Sequence, residues 1–192
     1  MLSFIIMLSF RSVLVKCIDY PQIYNFNLNK VYNNQQTLEH IFPKCYMNKK
    51  TYNDMHNIFS CNKEINNIRS NYKFIDSKNK EYYDNIDAFY NIKHTDNYYS
   101  PKLKLFIPEN DSKGIISRCI MYMSYEYKYN YEKIIDYDNL IQWAIKHPPT
   151  KEEYLHNTFV FKKQYKKNQF IDLYYKKNYI QYISNLFYNK RN

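Results

Sequence analysis

The rhythm of apolar and polar positions changes part-way along the chain. Residues 12 to 60 alternate short apolar runs (Val13-Leu14-Val15, Ile23-Tyr24, Leu38 to Phe42) with Asn, Lys and Pro, the pattern of strands and irregular loops. Ser60 then reads as an N-cap, and a helix is expected over Asn62 to Ser70, with Ile65 and Ile68 at i and i+3. Residues 75 to 104 are polar and rich in Tyr, Asp and Asn, so loops with one or two short strands are expected, the last at Leu103 to Ile107. After Gly114 the apolar residues Ile115, Ile116, Cys119, Ile120 and Met123 keep helical spacing. A further helix is expected from about Tyr131 to Lys146, stopped by Pro148-Pro149. Thr150 followed by Glu153 is a capping-box signature for the next helix, and Leu173 to Phe187 predicts a last one. The predicted class is α+β, with a strand-and-loop half that carries the chemistry and a mostly helical half that supports it.

The 192 residues and 45% hydrophobic content suit one globular domain spanning 1–192, about 12–110 forming the first half and about 111–192 the helical support and basic tail. Composition also limits one reading. Twenty-four Tyr, one Gly, only Ala88 and Ala144 as alanines, and abundant Asn, Lys and Ile match an AT-rich coding bias, so the tyrosine count alone is no sign of a base-stacking platform. The apolar stretch Met1 to Phe10 is too short to span a bilayer, is broken by Arg11 and has no basic n-region. It is expected as a first strand or buried segment. Cys17, Cys45, Cys61 and Cys119 form no C-x-x-C pair and fit no zinc pattern, which suggests reduced thiols in an intracellular rather than secreted protein.

A net charge of +10 points to a polyanionic partner, either nucleic acid or an anionic membrane surface. Much of the excess lies after residue 160, where Lys162, Lys163, Lys166, Lys167, Lys176, Lys177, Lys190 and Arg191 face the single acid Asp172. A solvated lysine-rich surface gives the same count, and charge alone does not separate the two.

Two segments could carry chemistry. The first is Leu38-Glu39-His40-Ile41-Phe42-Pro43. On an extended strand Glu39 and His40 point to opposite faces, and the dipeptide alone equally suits a half-buried His beside a surface Glu. The second runs Asp54 to Phe59 and then Glu64 to Tyr72, with Asn66 and Arg69 at i and i+3 on one helix face. Together they hold the parts for one-metal phosphodiester hydrolysis. A carboxylate and an amide oxygen suit Mg²⁺. A neutral imidazole can deprotonate water. An arginine one turn away can grip the phosphate.

With these residues in view, the chain resembles the bacterial endonuclease I family of His-Me finger (ββα-metal) nucleases, in order from about Asp19 to Tyr179. The family's Glu-His-x-x-Pro is matched by Glu39-His40-Ile41-Phe42-Pro43, and its Asp-Leu-His run by Asp54-Met55-His56-Asn57-Ile58. Its Val-Asn-x-x-Arg-x-Asn-Tyr helix is similar to Ile65 through Tyr72, with Asn66, Arg69, Asn71 and Tyr72 in place. Further blocks align at Phe106-Ile107-Pro108 with Lys113-Gly114 and Ser117-Arg118; at Trp143, Pro148, Pro149, Thr150, Glu153 and Asn157; and at Gln164, Asn168, Phe170, Ile171 and Asp172.

The resemblance implies a ββα-metal core and a metal-dependent endonuclease that cuts DNA, and RNA as well, with little sequence preference. His40 would be the general base, and Glu39 and Asn66 would hold the metal, Mg²⁺ before Mn²⁺ or Ca²⁺. Arg69 and Arg118 are the expected catalytic phosphate contacts, although a buried carboxylate is an equal alternative for Arg118. Lys44, Lys166, Lys167 and Asn168 are the expected nucleic-acid contacts. A monomer without stable membrane insertion is expected. Five positions depart from the family: Ile107 and Asn110 replace acids, His156 and Lys167 stand where arginines are common, and Gln169 replaces a Pro. A catalytically silent nucleic-acid binder on the same fold is the alternative. His56 is expected as structural support, Trp143 as core, and His94, His147 and His156 as surface histidines.

Overall fold

The computed structural model describes residues 23–24, 36–80 and 88–188. The expected first strand or buried segment at Met1 to Phe10 lies outside them. Strands β1 (Gln36–His40) and β2 (Ile58–Asn62) pair antiparallel, Leu38 opposite Ser60, Glu39 opposite Phe59 and His40 opposite Ile58. Three short 3₁₀ turns, Lys44–Tyr46, Lys49–Thr51 and Met55–Asn57, fill the connection between them. Helix α1 (Lys63–Arg69) follows β2 without a loop.

The cap of α1 differs from expectation. Ser60 is inside β2, and the N-cap is Asn62, whose side-chain oxygen accepts from Glu64 N at 2.8 Å and Ile65 N at 3.2 Å. Both residue types cap well, but the ladder runs on through Cys61 opposite Thr37 to Asn62 opposite Gln36, so the cap falls on the last residue of the strand.

Four short strands form a second sheet in the order β3 (Lys73–Phe74), β6 (Leu105–Ile107), β5 (Tyr98–Ser100), β4 (Tyr90–Asn91). β3 runs parallel to β6, and the other pairs are antiparallel. The Tyr/Asn-rich stretch before residue 104 therefore holds more strand than its composition suggests.

Helix α2 (Asn110–Tyr127) is the spine of the molecule. It starts upstream of Gly114, and every residue from Ser112 to Ser124 is buried, so it carries no solvent face over that length. Gly114 sits where another chain segment passes against the helix. A Cβ there would lie 2.5 Å from the His147 carbonyl oxygen and 2.6 Å from Arg118 Nη2. That explains a glycine inside a helix, which otherwise costs about 1 kcal/mol relative to alanine.

Helix α3 (Tyr137–Lys146) is shorter than expected, beginning at the Asp136 N-cap after a 3₁₀ turn at Tyr131–Lys133. Helix α4 (Lys151–Gln164) opens on the capping box: Glu153 N donates to Thr150 Oγ1 and Thr150 N to a Glu153 carboxylate oxygen, both at 3.3 Å. The final stretch splits into α5 (Gln169–Asp172) and α6 (Tyr179–Tyr188). One contiguous core joins Phe42, Phe59 and Ile65 near the first strands to Phe106, Ile120, Trp143, Phe170 and Phe187.

With one glycine in the chain, the left-handed turns fall to other residues. Lys128 (φ 60°) ends α2 and Tyr165 (φ 57°) ends α4.

Candidate active site

The β1–β2 hairpin and α1 bring the two candidate segments together. Asn66, half-buried on α1, donates its amide Nδ2 to the Leu38 carbonyl at 3.3 Å, so the helix is pinned to β1 one residue before Glu39. Glu39 and His40 point to opposite faces, as an extended strand requires: Glu39 is 3% exposed, while His40 is half-buried.

His40 is held by the chain beyond the first two 3₁₀ turns. Its Nε2 lies 2.9 Å from the carbonyl oxygen of Tyr52. A carbonyl can only accept, so this contact places a proton on Nε2 and makes Nδ1 the basic nitrogen of the neutral ring. Lys44 belongs to the same corner, its ammonium 5.7 Å from the Tyr52 ring centre. Asn57 fixes the strand exit, accepting from Phe42 N at 2.7 Å and donating to Phe42 O at 3.0 Å.

Glu39 points inward to Arg69. Arg69 Nη1 donates to Glu39 Oε1 at 2.7 Å, to His40 O at 3.2 Å and to Ser70 O at 3.1 Å, and Nη2 donates to Ile41 O at 2.6 Å. The guanidinium also covers the Phe74 ring at 4.4 Å and is 1% exposed. Burial pushes the Glu39 carboxyl up to about 7, and neighbouring Arg69 pulls it the other way. Tyr24, Cys61 and Cys119 share this buried pocket, where burial raises all three above their usual range.

Three expected phosphate or nucleic-acid contacts are placed otherwise. Arg69 is committed to Glu39 and three carbonyls, and so is turned away from solvent. Arg118 is also 1% exposed: Nε and Nη2 grip the two Glu153 oxygens at 2.9 and 2.5 Å, and Nη1 reaches His147 O at 2.6 Å. Of its two expected partners, the buried carboxylate is the one present. Asn168 is buried as the N-cap of α5, accepting from Phe170 N and donating to Arg118 O. A buried polar group must find partners inside the protein, and these three do, although Arg69 Nε has no hydrogen bond among the described residues. The expected lysines stay nearer solvent. Lys166 pairs with Glu126, and exposed Lys167 lies 3.3 Å from Asp172.

A second buried cluster, scarcely marked by local pattern, gathers around Asp54 and His56. Asp54 accepts from His56 N and Gln164 Nε2 at 2.9 Å, and from the hydroxyls of Tyr122 and Tyr127. His56 Nε2 meets Lys166 O at 2.9 Å, and its pKa is lowered by burial. His156 was expected at the surface but is 3% exposed, its ring centre 6.0 Å from that of His56 and 5.2 Å from Phe59. Burial pushes its pKa down to about 3. The missed clue was its place on α4: Glu153, His156, Asn157 and Val160 recur at helical spacing and form the inner face.

Trp143 is core, as expected, with Nε1 donating to Asp76. Cys45, Cys61 and Cys119 are free thiols. No helix among the described residues is long and apolar enough to cross a membrane. The family model described as Endonuclease I matches residues 5–174 of the chain. No curated protein sequence matches it.

Proposed function

We propose a division of labour within a chain that belongs to the endonuclease I family and is accordingly an endonuclease acting on nucleic acid. The proposed activity is metal-dependent, largely sequence-nonspecific hydrolysis of phosphodiester bonds in DNA, and in RNA as well, from a His-Me finger site on β1, β2 and α1. The observation that supports it most is the pairing of His40, oriented by the Tyr52 carbonyl, with Asn66, pinned to the adjacent backbone of β1.

In this reading His40 Nδ1 takes the proton of the attacking water. The Nε2–H···O=C contact to Tyr52 keeps the ring in the tautomer that can do so. Its half-buried position lets water reach it without full solvation of the ring. Arg69 is a positioning residue: by holding Glu39 and the carbonyls of His40 and Ile41, it sets the direction in which β1 ends.

Glu39 and Asn66 would hold the metal, and the residues fit one. Glu39 is a buried carboxylate that a single arginine leaves with a raised pKa, so a second positive charge would relieve it. The Asn66 amide nitrogen is occupied by Leu38 O, which leaves the carbonyl oxygen as the ligating atom. Among the described residues no three His, Cys, Asp or Glu side chains form a metal-holding group. A hard cation that retains water and takes substrate oxygens, such as Mg²⁺, suits that sparse donor set better than zinc. When bound, it stabilises the charge that develops on the phosphate and the leaving oxygen.

Plasmid nicking with Mg²⁺ or Mn²⁺, with and without chelator, tests the proposal on the wild type and His40→Ala. The expected result is chelator-sensitive nicking, lowered by roughly 10²- to 10⁴-fold in the variant. Nicking that survives His40→Ala would overturn its role. Salt-sensitive DNA binding without nicking would make the chain a silent binder.

A further inference from the structure

Helix α4 has two faces that both carry large apolar groups. The inner face, Glu153, His156, Asn157 and Val160, is buried against the rest of the protein. Away from that face Tyr154 and Phe161 share one line at i and i+7, and Tyr165, the left-handed residue that ends the helix, follows at its C-terminal end. Phe161 is 41% exposed and Tyr165 is 82% exposed. Of the exposed large hydrophobic side chains among the described residues, all but Tyr90 lie between Leu155 and Tyr188. Phe161 and Tyr165 are two of these, four residues apart at one end of α4.

The line is flanked by cations. Lys151, Lys162 and Lys167 are exposed beside it, and Lys167 Nζ lies over the Phe161 ring at 5.5 Å. Glu152 and Asp172 are the exposed acids nearby, and Asp172 accounts for one of those lysines. The C-terminal end of the line also adjoins the candidate active site. Gln164, next to Tyr165, bonds Asp54 and Met55 N, two and three residues beyond the Tyr52 carbonyl that orients His40.

We propose that the outer face of α4 is a binding track for single-stranded nucleic acid, on which Phe161 and Tyr165 stack unpaired bases while the flanking lysines follow the phosphates. Charge selects the polyanion. Flat exposed rings select its unpaired form, because a base in a duplex has both faces covered by its neighbours. At 1.5 Å per residue, Tyr154 to Tyr165 spans roughly 16 Å, room for two to four splayed nucleotides. Stacking and phosphate contacts of this kind would hold a strand with little dependence on sequence. The inference rests on the nuclease reading only for the identity of the polyanion.

Fluorescence anisotropy in chelator, which separates binding from cutting, tests it with a labelled 20-nucleotide single strand and the matching 20-base-pair duplex. Phe161→Ala/Tyr165→Ala should weaken single-strand binding by tenfold or more and duplex binding by less than threefold, with an unchanged melting temperature. Phe161→Tyr/Tyr165→Phe should bind like the wild type. Lys151→Ala/Lys162→Ala should weaken both substrates and lower the salt slope. Equal losses on both substrates for the alanine pair, or no loss, would overturn the proposal. So would full binding by Phe161→Leu/Tyr165→Leu, since that would make the contact merely apolar. A loss confined to phosphatidylserine vesicles would assign the face to a membrane and overturn it too. Failure of the wild type to nick plasmid would remove the active-site reading and leave this binding contrast intact.

Discussion

Arg69 reaches back across the end of β1 to Glu39, Nη1 to Oε1 at 2.7 Å, with both side chains buried. The arginine serves the carboxylate and the strand's carbonyls together, so a lysine cannot replace it: one ammonium does not reproduce the fork. Arg69→Lys should destabilise the protein by roughly 2–4 kcal/mol in urea denaturation. In chelator, DNA binding by the charge-removing variant Arg69→Gln should keep the wild-type salt slope. A direct phosphate contact would lower that slope by about 1, so such a drop would reinstate Arg69 as a substrate ligand.

Glu39 gives a pH-dependent prediction. Its folded pKa, about 7, is above the ordinary 4.5, so the folded state holds a proton that the unfolded chain has released. Stability contributed by Glu39 is therefore full below about pH 4.5 and is lost as the pH rises toward 7. A cation bound beside the ionised carboxylate should restore it. Thermal unfolding should show Mg²⁺ stabilising the wild type more at pH 8 than at pH 5.5, and Glu39→Gln should abolish the difference. Equal stabilisation at both pH values would remove Glu39 from the metal site.

His156 acts in the opposite direction. Its folded pKa, lowered to about 3, is below the unfolded 6.5, so its neutral buried form is stable above 6.5 and penalised progressively as the pH falls toward 3. From pH 7 to 4.5 this histidine should remove roughly 2–3 kcal/mol. His156→Phe should show a flatter acid limb in denaturant midpoints against pH. An unchanged limb would mean that another group, with His56 the first candidate, carries the acid sensitivity.

Gly114→Ala should destabilise the protein although alanine is the better helix former. The gain of about 1 kcal/mol in helix propensity is opposed by a Cβ 2.5 Å from backbone oxygen. A net loss of roughly 2 kcal/mol is expected, read as a fall in melting temperature. A rise would show that the His147 segment yields easily.

Local patterns carried more of this structure than long-range ones. The capping box at Thr150 and Glu153 needs only residues three apart, and it forms as expected. Glu39, His40 and Asn66 could be singled out because a strand, a second strand and a helix follow each other within 34 residues. The partners of the arginines could not be read that way. Arg118 finds its carboxylate 35 positions away on another helix, and nothing near it in sequence names Glu153. Asp54 collects donors from α2 and α4, which only the packed fold brings together. The helix around Gly114 was placed too late because glycine marks a boundary in a linear pattern, whereas here it marks a close approach in space.

Having its one glycine inside α2, the molecule closes that helix with Lys128 at φ 60°, a conformation that costs an L-residue about 1 kcal/mol. That backbone leaves stability unclaimed at an ordinary helix end. An engineer seeking a sturdier version could recover part of it at Lys128, provided that Tyr129, which bonds Thr51 beside the Tyr52 carbonyl holding His40, keeps its place.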